Sequence, residues 1–88
     1  RLRCRPSEVS FDSMGWVYFR MGNLARAREL LERAFALRPE AEIGAHLGEV
    51  LWAMGERDAA RRIWRQVRAD EPDNETLSAT LARLQVRL

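Results

Sequence analysis

The chain has 88 residues, 47% of them hydrophobic and 32% charged, with 15 basic and 13 acidic side chains and a formal net charge of +2. A chain of this size makes one small domain with a limited core, and no apolar run approaches the ~20 residues of a membrane-spanning helix. Every basic residue is arginine, which codon usage explains without special chemistry, and twelve of the apolar residues are alanine, so the composition is that of a helical protein.

The elements are predicted in chain order. The start, Arg1-Leu2-Arg3-Cys4-Arg5-Pro6, has no apolar stretch behind it of the kind a signal peptide needs. Leu2 followed closely by Cys4 suggests a lipoprotein site, but Arg3 stands where a small residue is required. Cys4, the single cysteine, cannot form an internal disulfide and reads as an incidental thiol of an N-terminal extension over 1–7. A first helix runs from about Glu8 to Met21 and ends at Gly22, a residue suited to a left-handed cap. Asn23 caps a second helix over Leu24 to Leu37, closed by Pro39, with Ala27, Leu30, Leu31, Ala34 and Leu37 on one stripe. A third helix spans about Ala41 to Met54 and stops at Gly55. The fourth spans about Arg57 to Ala69 before Pro72, with Ala59, Ala60, Ile63, Trp64 and Val67 as its stripe. Asp73-Asn74-Glu75-Thr76 is a helix-starting signature. The last helix carries Leu77, Leu81, Leu84 and Leu88 on one side and Ser78, Arg83, Gln85 and Arg87 on the other, as a terminal cap should.

The chain repeats itself with a period of 33: Gly15 aligns with Gly48, Gly22 with Gly55, Ala27 with Ala60 and Pro39 with Pro72. Met14, Tyr18, Met21, Leu31 and Ala34 fall opposite Leu47, Leu51, Met54, Trp64 and Val67. Gly15 and Gly48 lie inside helices, where glycine costs about 0.5–1 kcal/mol relative to alanine. Close approach of the second helix of each unit, through Ala27 and Ala60, is the expected compensation.

With Phe11, Met14-Gly15, Tyr18, Ala27, Leu31, Ala34 and Pro39 in one unit and Leu47-Gly48, Leu51, Ala60, Trp64, Val67 and Pro72 in the next, the chain resembles the tetratricopeptide repeat family over nearly everything after Arg5. Gly44, where the pattern calls for an aromatic, and a unit one residue short of the usual length are the departures, and they leave the helix start near Ala41 open. The resemblance implies an all-α, right-handed α-solenoid of antiparallel helix pairs: repeats over 8–40 and 41–73 and a capping helix over 74–88. It also implies a non-enzymatic scaffold or adaptor, without cofactor or metal, that holds a protein or peptide in a concave groove made by the first helix of each repeat.

Carried across residue by residue, the groove falls to Asp12, Trp16, Phe19 and Arg20 in the first unit. Ala45, His46, Glu49, Trp52 and Ala53 follow in the second, and Ser78, Ala82 and Gln85 in the last helix. Independently, Trp16, Phe19 and Trp52 lie off the stripe of Met14, Tyr18 and Met21 or of Leu47, Leu51 and Met54, so both first helices are apolar on two sides. One side packs within the repeat, and the other meets either a neighbouring repeat or a ligand. The basic and amide residues with which some members clamp a terminal carboxylate are replaced here by Asp12, Trp16 and His46, so an acidic C-terminal peptide is not the expected ligand. His46 is the only histidine, too few partners for a metal site or a catalytic set, and reads as a polar groove residue.

Arg57, Arg61, Arg65 and Arg68 form a row along one helix. Such a row could track phosphates in nucleic acid, but Asp58, Asp70 and Glu71 are close enough to predict an ion-paired, solvated face instead. Val9, Val17 and Leu24 have no preceding repeat to cover them. The alternatives are upstream repeats in a longer array, of which this would be the C-terminal end, or a homodimer through that edge. The wording of 12–19 and 45–52 is similar to the C-terminal repeats of long bacterial tetratricopeptide proteins, some of them cell-envelope lipoproteins that serve as adaptors, which would imply a periplasmic or envelope setting.

Overall fold

A computed structural model describes residues 11–88 as five helices: α1 (Phe11–Arg20), α2 (Leu24–Leu37), α3 (Ala41–Ala53), α4 (Arg57–Asp70) and α5 (Glu75–Leu84). The expected extension over 1–7, Cys4, the helix start at Glu8, Val9 and the side chain of Asp12 lie outside what is described. There is no strand among the described residues, and no helix among them is long and apolar enough to cross a membrane.

Glycine ends α1 and α3 in the same way. Gly22 and Gly55 take φ of 85° and 88°, and around each the last carbonyls of the helix are capped by a crossed pair of hydrogen bonds. Asn23 N–H donates to the Tyr18 carbonyl at 2.9 Å and Gly22 N–H to Phe19 at 3.0 Å; Glu56 N–H donates to Leu51 at 2.9 Å and Gly55 N–H to Trp52 at 3.1 Å. A third copy of this turn closes α5, where Gln85 adopts φ 59° and Val86 N–H donates to Leu81 at 2.9 Å. The last helix therefore stops at Leu84, and Leu88, expected on its stripe, lies beyond it while Val86 is buried.

The starts are equally specific. Asn23 Oδ1 accepts from Arg26 N–H at 3.2 Å and Asn74 Oδ1 from Leu77 N–H at 2.9 Å. Glu40, ahead of α3, makes no such bond with its side chain. Glu71, just after α4, supplies the cap: its Oε2 accepts from Ala41 N–H at 3.0 Å, placing a carboxylate at the positive end of the helix. This contact ties the end of one helix to the beginning of its partner and holds the start near Ala41 despite Gly44.

The helices pair as α1 with α2 and α3 with α4, and α3 also touches α2 and α5, so the array is a solenoid of two helical hairpins and a capping helix. The pairing depends on small residues. A Cβ on Gly15 would lie 2.7 Å from Leu31 Cγ and 3.2 Å from the Ala27 carbonyl oxygen, and one on Gly48 would run into the indole of Trp64. Trp64 is completely buried, and Leu31, Leu77, Val50 and Val67 are the next largest of the fully buried side chains. Gly44 meets Val67 and Phe35, so the second unit fills with Phe35 of the preceding helix the space near the expected aromatic.

Two predicted stripes need correction. Leu37, placed on the packed face of α2, is 70% exposed at the helix end, and Phe35 packs on the core instead. Met14 and Met21, expected to pack within the first repeat with Tyr18, are 37% and 70% exposed, and Val17 between them is 56% exposed. Their counterparts Leu47 and Val50 are buried because α2 lies against α3, and among the described residues nothing equivalent covers α1.

Gly15→Leu should overpack the α1–α2 contact and cost about 1–3 kcal/mol, on the order of 5 °C of melting temperature per kcal/mol in a domain this small. Thermal unfolding followed by circular dichroism checks it; an unchanged curve would contradict the close approach.

Candidate partner-binding surface

The first helices α1, α3 and α5 form one layer, in which α3 touches both neighbours. The second helices α2 and α4 stand behind them, separated by a cleft. Contact along the first layer and a gap along the second make α1, α3 and α5 the tighter, inner side.

On that side the ring of Trp16 stacks on Phe19, one turn along α1, with centroids 4.8 Å apart and planes 24° apart. It also stacks on His46 of α3, at 4.3 Å and 23°. Such pairs contribute about 0.5–1.5 kcal/mol beyond area burial. All three side chains are half-buried, so the stack joins two repeats and still presents aromatic surface to solvent. His46, read from sequence as a polar groove residue, is the aromatic link between the units.

Trp52 sits differently. Its ring is tilted against Trp64 at 5.6 Å, and the guanidinium groups of Arg57 and Arg61 lie over it at 4.2 and 5.2 Å. The arginine row is thus half committed to an aromatic face, an attraction of about 0.5–1 kcal/mol per exposed pair. The expected pairing of that row with nearby acids does not hold for Glu71, which is turned to the start of α3.

Glu49, another expected groove residue, is only 6% exposed. Its two oxygens accept from Arg83 Nη1 at 2.8 Å and Nη2 at 2.7 Å, a forked ion pair that reaches from α3 to α5. These hydrogen bonds, and then the charge of Glu49 itself, push the Arg83 guanidinium above its ordinary range. One heptad earlier, Thr76 Oγ1 donates to Glu42 Oε2 at 3.2 Å. Both contacts join residues 34 apart, so α5 lies parallel to α3 and in register with it. Complementary side chains at a constant offset of 34, one residue more than the repeat period, are a signal the sequence carries, although the apolar stripe alone does not reveal it.

Of the remaining candidates, Arg20, Ala53, Ser78, Ala82 and Gln85 are exposed, whereas Ala45 is fully buried. The Ala45 carbonyl faces Trp64 Nε1 at 3.4 Å, so its place is in the packing between α3 and α4. Asp12 lies on α1, with its side chain outside what is described.

Residues 18–84 match the family model described as tetratricopeptide repeat. Over 38 residues the chain is 50% identical to a TPR repeat-containing protein of Pseudomonas aeruginosa, a stretch that covers 43% of this chain and 6% of that relative. The chain therefore spans a small part of the length of the curated relative it matches.

Replacing Arg83 with alanine leaves the nearly buried Glu49 carboxylate without its cation. The expected loss is about 1–3 kcal/mol, with α5 loosened first. Amide hydrogen exchange reads this as faster exchange in α5 than in α2, and uniform protection in the variant would contradict the pair's role.

Proposed function

The chain belongs to the tetratricopeptide repeat family, and we propose that it is a scaffold or adaptor module that holds a segment of another protein on the inner layer of α1, α3 and α5. Repeats of this family mediate protein–protein interactions and are typically non-enzymatic. A bacterial setting fits the Pseudomonas relative. The observation that carries the finer reading is the half-buried stack of Trp16, Phe19 and His46 across two repeats. Rigid aromatics already held in place lose little entropy on binding, and such residues dominate binding energies at interfaces. The partner segment is apolar or amphipathic. It rests on Trp16 and Phe19, with Arg20 and Gln85 as polar margins. Trp52, covered by two guanidinium groups, and Glu49, held by Arg83, serve the architecture first.

A second reading has its own observation: the exposed Met14, Val17 and Met21 along α1 form an apolar strip that a second copy of the chain could cover. One experiment separates the two. A tagged chain, wild type or Trp16→Ala, is used as bait with an untagged copy and a cell extract present. Under the groove reading the variant loses its protein partners by at least about tenfold and keeps a cooperative melt. Partner recovery independent of Trp16 would contradict that reading. Capture of the untagged copy alone would support self-association.

A further inference from the structure

The outer side of the solenoid holds a cleft of about 300 Å³ between α2 and α4. Its floor is Leu47 and Leu51 of α3, its apolar walls include Phe35 of α2 and Ile63 of α4, and Arg28 and Arg62 stand on its two rims. Ile63 is half-buried, whereas Leu30, its counterpart one repeat earlier, is 4% exposed, so the apolar wall is open to solvent at this point. The lining runs over residues 28–36 of α2 and 59–66 of α4, about two helical turns or roughly 12 Å.

The two rims differ in charge. Arg28 is already neutralised twice over: its Nε donates to Glu32 at 3.0 Å and its Nη1 to Glu56 at 2.8 Å. Arg28 and Glu32 leave the α2 rim without net charge, and the contact with Glu56 bridges the cleft to the start of α4. On the opposite rim, Arg62 is exposed and has no carboxylate partner among the described residues. An occupant thus meets apolar walls, a rim on which the charges are already paired and, on the other side, a guanidinium without a carboxylate partner.

We propose that this outer cleft is a second docking site, for a short helical segment of another protein that presents bulky aliphatic side chains one turn apart and a carboxylate next to them, directed at Arg62. A cavity at the lower end of the usual range for binding pockets suits one or two side-chain anchors rather than a cofactor. A single unpaired cation, Arg62, on one rim fixes which side of the segment faces α4. The site faces away from the Trp16 stack, so one module holds two segments at once.

The test uses the 88-residue chain and a fluorescein-labelled, alanine-based helical peptide about twelve residues long, with two leucines one turn apart and a glutamate beside them. Its control carries lysine in place of the glutamate. Fluorescence anisotropy should show saturable binding of the glutamate peptide, about three- to fivefold tighter than the lysine peptide. Arg62→Glu, an exposed change that leaves the melting curve in place, should reverse that preference. Ile63→Ala should weaken both peptides, and Trp16→Ala neither. No saturation up to about 1 mM, an equal affinity for the two peptides, or a preference unmoved by Arg62→Glu would overturn the proposal. Loss of binding in Trp16→Ala with no effect of Ile63→Ala would overturn it too, by assigning the peptide to the inner layer.

Discussion

At Gly48 the backbone of α3 runs so close to the indole of Trp64 that a single added methyl group has no room, and one repeat earlier Gly15 stands in the same relation to Leu31. A helix interior gives up stability to carry glycine. The return is the dispersion and burial gained when the largest side chain of the core is completely covered. This one constraint sets the separation within each helix pair. Because it recurs every 33 residues, it also sets the relation between pairs.

The two surfaces of the array follow from that spacing. First helices drawn against their own partners are close enough to touch along the chain, which lets Trp16 reach His46 and Glu49 reach Arg83. Second helices on the far side do not close, and the outer cleft over Leu47 and Leu51 is the space they leave. Charge organises what packing leaves loose: Glu71 caps α3, Glu42 and Glu49 fix the register of α5, and Arg28 spans from α2 to Glu56 at the start of α4.

Much of this was legible in the chain. Gly22, Gly55, Asn23 and Asn74 are residue types whose local chemistry forces a turn or a cap, so the helices they bound were readable without any knowledge of packing. The end of α5 was not, because Gln85 adopts the left-handed turn without being glycine. The aromatic character of the inner layer was readable from Trp16, Phe19 and Trp52. Their division of labour was not, since it depends on which ring His46 stacks against and which ring Arg57 and Arg61 cover. The cleft between α2 and α4 belongs to helices that are not neighbours in the chain, and no periodicity within one helix reports a gap between two others.

The dependence of the fold on close approach is tested most directly by a double-mutant cycle on Gly48 and Trp64, read as free energies of unfolding. In the wild-type background Gly48→Ala should cost about 1–3 kcal/mol through overpacking. In a Trp64→Leu background, where the indole is gone, the same substitution should cost nothing, or gain up to about 1 kcal/mol from helix propensity. An equal loss in both backgrounds would mean that the indole does not demand the glycine, and the account of the repeat built on it would fail.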